Sequence, residues 1–131
     1  MAAIPNNTLP ELFTLICDAV KKVSPPMQVS RNEKTVLELM GNKPVPYGSK
    51  KTIVPGMYFC SVVLRNDKVC FYFFPIYYHE DSYAPLIPQM IKCLKGKTCF
   101  HFKKADQVNY KELSAILKLG VQQWKKQGYL K

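Results

Sequence analysis

The first apolar positions recur at helical spacing. Leu9, Leu12, Ile16, Ala19, Val20 and Val23 form one stripe, which predicts an amphipathic helix from Thr8 to Val23. Thr8 and Glu11 have the spacing of a capping box, and Pro10 stands in the first turn, where its missing donor does no harm. Ser24-Pro25-Pro26 ends the helix. The period then drops to two. Residues 34–40, KTVLELM, predict a strand with Val36, Glu38 and Met40 on one face and Leu37 and Leu39 on the other. The stretch GNKPVPYGSKK, 41–51, reads as a loop and as the most mobile element.

The strongest local pattern follows. MYFCSVVLRNDKVCFYFFPIY holds two β-rich runs around Asn66-Asp67, residues that tolerate a tight turn. A two-residue turn pairs Arg65 with Lys68, Val62 with Phe71 and Ser61 with Tyr72. One face then collects Cys60, Val62, Leu64, Val69, Phe71 and Phe73, an expected dry core. The other collects Phe59, Ser61, Val63, Cys70, Tyr72 and Phe74. Residues 69–79 carry six aromatic rings in eleven positions. A strand with one wet face should alternate, and this one does not. What covers the second face is the functional question. Pro75 predicts fraying or a local edge.

A short helix is expected at about 88–94, closed by Gly96, and then a strand over 97–104, KTCFHFKK. Phe100 and Phe102 should face the core, with Cys99 and His101 opposite. Leu113, Ile116, Leu117, Val121 and Trp124 predict a last helix from about Asn109 to Gln127, stopped by Gly128. The order αβββαβα predicts an α+β fold: an antiparallel sheet of about four or five strands with helices mainly on one face.

Composition narrows the chemistry. The chain has 131 residues, 47% hydrophobic and 21% charged, which fits one domain spanning 1–131. No apolar run is long enough to span a membrane, and the N-terminus lacks a secretory pattern. The five cysteines are odd in number and sit in apolar runs, which suits free thiols in a cytoplasmic protein. The net charge is +10, yet of the 19 basic residues only Arg31 and Arg65 carry a guanidinium fork. Lys92, Lys95, Lys97, Lys103 and Lys104 gather around the KTCFHFKK strand, but its aromatics alternate as core, so nucleic acid is not expected. A polyanion role through the lysine-rich surface ranks third among the functional readings.

Cys99 and His101 lie two apart on one strand face, with Cys70 and His79 as the other soft donors. One Cys-x-His is a weak zinc signature, so no metal and no cofactor are assigned. A Cys–His nucleophile would need a third, orienting group, for which Glu38 is the candidate if its strand pairs beside His101. No G-x-S-x-G, phosphate loop or dinucleotide fingerprint is present, and the chain is read as a non-enzyme.

The hairpin GMYFCSVVLRNDKVCFYFFPIYYH, the strand LKGKTCFHFKK and the terminal KKQGYLK together resemble the YdhG-like domains of unknown function, over residues 34 to 131. Part of that family is described as similar to frataxin, so the resemblance implies an intracellular iron chaperone as an alternative. Such a role draws on carboxylates, because iron prefers hard oxygen ligands. The chain has nine, with Glu80-Asp81 the only adjacent pair. The first reading is a small cytoplasmic binding module whose site is the second sheet face. Phe59, Ser61, Tyr72, Phe74, His101 and Glu38 are its expected residues. Its partner is a second copy of the chain or a small apolar or aromatic molecule.

Overall fold

The computed structural model describes residues 8–131. The seven residues before them, included above in the single domain and in the reading of the N-terminus, lie outside the described part. Helix α1, Leu9–Lys21, begins as expected. Thr8 caps the backbone N–H of Glu11, and the Glu11 carboxylate reaches back to Thr8. Its apolar stripe buries Leu12, Ile16 and Val20.

Six antiparallel strands form one sheet: β1 (Gln28–Glu33), β2 (Val36–Met40), β5 (Tyr58–Leu64), β6 (Val69–Phe73), β7 (Leu94–Lys95) and β8 (Cys99–Phe102). Their spatial order is β1-β2-β5-β6-β8-β7. The fold is therefore α+β, with one strand more than the upper expectation. Beyond the four strands of the predicted order, the additions are the two-residue β7, at the end of the expected 88–94 helix, and β1, QVSRNE. Strand β1 is mostly exposed and shows no apolar alternation, so only its backbone pairing to β2 defines it. The expected loop at 41–51 also holds strand structure. Short β3 (Val45–Tyr47) and β4 (Thr52–Val54) pair in a separate two-stranded sheet, and Val45 plugs into the core.

The central hairpin adopts the expected register. Val62 pairs with Phe71, Ser61 with Tyr72, and the Arg65 N–H donates to the Lys68 carbonyl across the turn. The strand stops at Phe73. Pro75 starts a four-residue helix, α2 (Pro75–Tyr78), and a second, α3 (Glu80–Tyr83), follows. The helix expected at 88–94 is a 3-10 turn, Met90–Cys93. Buried Glu112 accepts the N–H groups of Gln89 and Met90 there, which caps that turn from another element. Helix α4, Tyr110–Lys126, is capped by the Asn109 side chain and ends before Gly128, whose φ of +86° suits glycine.

Helices α1 and α4 lie on one face of the sheet. Their stripes join Leu37, Leu39, Val62, Phe71, Phe73, Phe100 and Phe102 in one dry core. At the centre, α4 comes close to the sheet because Gly120 has no side chain. A Cβ there would meet ring atoms of Phe59 and Phe73 at 2.9 Å.

Candidate functional site

The opposite sheet face carries most of the candidate residues. Strand pairing builds two cross-strand rows on it. One runs Glu38, Ser61, Tyr72, Cys99; the other runs Val36, Val63, Cys70, His101. Side chains in such rows touch, because directly opposed residues lie closest in a sheet. Of these eight, Ser61 and Cys70 are buried and the rest are half-buried, whereas the alternating residues of β2, β6 and β8 are fully enclosed by the helices.

Each expected residue has its place. Ser61 bonds the Tyr58 hydroxyl at 2.7 Å, and burial raises the Tyr58 phenol well above its ordinary range. The Tyr72 hydroxyl accepts from the Arg65 guanidinium at 3.0 Å. The Glu38 carboxylate accepts from Ser30 at 2.9 Å. His101 stands opposite Cys70. Glu38 is separated from β8 by β5 and β6, so the expectation that it orients His101 is corrected.

Phe59 is also corrected, since it belongs to the core. Leu39 pairs with Cys60 but Met40 pairs with Tyr58, so one residue of β5 is unmatched. This bulge turns both Phe59 and Cys60 inward, each at 0% exposure, and brings Tyr58 to the open face instead. Phe59 packs edge-on against Phe73 and Trp124, both with centroids at 5.5 Å. Phe74 departs as well. It has helical backbone angles just before α2 and leaves the strand surface. Half-buried, it contacts Tyr58, Tyr77, Tyr78 and Trp124.

The thiols converge where β6 meets β8. Cys70 Sγ, Cys99 Sγ and a ring nitrogen of His101 all lie within 4.8 Å of one another. Residues two apart on a strand are about 6 to 7 Å apart at the backbone, so the side chains lean together. His79 takes no part and lines a separate 230 Å³ cleft with Tyr78, Trp124, Gln127 and Tyr129. Burial, then the neighbouring Cys70, push the Cys99 thiol up to about 11, with a Tyr72 hydrogen bond opposing. It is protonated at neutral pH and a poor nucleophile. Burial and the charges of Lys68 and Lys95 lower the His101 imidazole from its ordinary value. Among the described residues this is the one cluster of three metal-capable side chains, and it contains no carboxylate.

Beside His101 the face opens into a cleft of about 460 Å³. Lys68, Lys92, Lys95 and Lys103 line it, with Cys93, His101 and Gln107. The acid at its edge, Asp67, is engaged by Lys68 at 2.8 Å. Three of these lysines come from the group singled out in the sequence. Lys68 arrives only through folding, as does Arg65 beside Tyr72.

Comparison with protein-family models, with curated proteins and with solved structures finds no match to this chain.

Proposed function

We propose that the protein is a non-enzymatic binding module whose site is the open sheet face, and that its ligand is a small aromatic molecule bearing an anionic group. The carrying observation is the convergence of Lys68, Lys92, Lys95 and Lys103 on one cleft that shares His101 with the open face. Cations around a concavity raise the local concentration of anions. The cleft's volume falls in the usual range for small-ligand sites, roughly 300–1,000 Å³. Tyr72, opposite Cys99 on the same open face, offers a ring and a hydroxyl. Arg65 offers a forked donor whose hydrogen bond on this face goes to a phenol rather than a carboxylate. The iron-chaperone alternative finds less support, since the clustered donors are soft and iron of that kind takes hard oxygens.

Phenyl phosphate and inorganic phosphate, titrated into isotopically labelled protein and followed by NMR, test the reading. Phenyl phosphate should shift the amides of Lys68, Tyr72, Lys95 and His101 more strongly than phosphate does. A Lys68→Ala/Lys95→Ala double variant should lose that response. Shifts scattered over the surface, or unchanged in the double variant, remove the proposal. A second reading rests on Val36, Met40 and Val63, which are half-buried on the same face: two copies pack face to face. Native mass spectrometry showing a monomer at micromolar concentration excludes it.

A further inference from the structure

We propose that Cys70, Cys99 and His101 form a three-coordinate site for a soft monovalent d10 cation, Cu(I). Strand pairing imposes the arrangement. Cys70 lies opposite His101, and Cys99 is two residues along β8 on the same side. The three donor atoms already lie within 4.8 Å of one another. Metal–sulfur and metal–nitrogen bonds of about 2.0 to 2.3 Å place ligands of one ion roughly 3.5 to 4 Å apart. Small rotations of the side chains therefore close the site, and the sheet backbone need not move.

The donor set selects the metal class. Two sulfurs and an imidazole, with no carboxylate in the cluster, disfavour Mg²⁺, Ca²⁺ and Mn²⁺ and favour copper(I) or zinc. Charge decides between these two. On binding, the two thiols release their protons to solvent, and two thiolates, a neutral imidazole and a monovalent ion carry one net negative charge. Arg65, Lys68 and Lys95 act on Cys99 or His101 against a single acid, Asp67, which Lys68 engages, so that complex sits in a net cationic setting that suits it. With a dication the same set is neutral and gains nothing from those cations, while a net charge of +10 repels the free dication more strongly. A structural zinc site would also want a fourth protein ligand, and the cluster supplies three. This inference shares His101, Lys68 and Lys95 with the anion reading but not its ligand, and a metal titration and a phosphate titration can fail separately.

The test uses the full reduced chain under anaerobic conditions, titrated against Cu(I) held by bicinchoninate. The protein should withdraw one equivalent and develop thiolate-to-copper absorption in the near ultraviolet. X-ray absorption should report two sulfurs and one nitrogen around the metal. Cys99→Ser, at a half-buried position, should weaken binding by more than the roughly 10- to 100-fold that loss of an outer-shell partner causes. His101→Gln should also weaken it, and Cys17→Ser, on α1 behind the other face of the sheet, should leave it intact. Cys70→Ser is compared only after a thermal melt shows that it folds, and Cys99→Ser carries the test otherwise. Failure to compete with bicinchoninate, or one equivalent retained by Cys99→Ser, overturns the site. Zn²⁺ binding tighter than Cu(I) in parallel titrations overturns the monovalent assignment. Phosphate does not enter these titrations, so their outcome is independent of the NMR result.

Discussion

The two faces of the sheet are made from the same strands and follow opposite rules. On the helix side, Val62, Phe71, Phe73, Phe100 and Phe102 are at 0% exposure and their rings interlock, with Phe71 and Phe100 centroids 5.8 Å apart. On the open side, Glu38, Ser61, Tyr72 and His101 make hydrogen bonds or carry donors, and most remain partly accessible. Core side chains are held by dispersion and by removal from water. Open-face side chains are held by a few directed contacts, each of modest net value. The first face therefore makes the fold and the second is free to carry chemistry.

Substitutions should separate the two faces by their effect on stability. Phe59→Ala is the largest. It removes a fully buried ring between Phe73 and Trp124 and should lower the unfolding free energy by about 3–5 kcal/mol. An unfolding free energy from urea titration within about 0.5 kcal/mol of wild type would return Phe59 to the open face and contradict the β5 bulge. Tyr72→Ala, its counterpart on the other side, should lose about 1 kcal/mol or less while abolishing the phenyl phosphate response.

Gly120→Ala comes next. The added methyl meets Phe59 and Phe73 ring atoms at 2.9 Å and should destabilise by about 1–3 kcal/mol, although alanine is the better helix former. Stabilisation in a thermal melt would mean that α4 does not approach the sheet this closely. Glu112→Ala should fall in a similar range, about 1–3 kcal/mol, because it leaves the N–H groups of Gln89 and Met90 without their acceptor. Hydrogen exchange should report the loss first at Met90, whose slow exchange in the variant would disprove the capping role. Smallest is Tyr72→Phe. It deletes the acceptor of an exposed Arg65 hydrogen bond and the hydroxyl beside Cys99, and an unfolding free energy changed by less than about 0.5 kcal/mol is expected in a denaturant titration.

Periodicity by itself determined α1, the hairpin register, the inward set of β8 and the capped α4, because each rests on contacts within about twenty residues. It also placed Ser61, Tyr72, Cys99 and His101 on one face, since side-chain direction alternates along any strand. Tertiary structure decided the rest. β1 exists because its backbone finds β2, which polar side chains do not announce. One unmatched residue in β5 moved Phe59 from the open face to the core, and a register shift of that kind depends on the neighbouring strand. The thiol cluster and the lysine cleft came from the order of strands: β8 sits beside β6, far from Glu38 and close to Lys68. Pairing partners distant in sequence are chosen by how the whole core closes, and no local pattern records that choice.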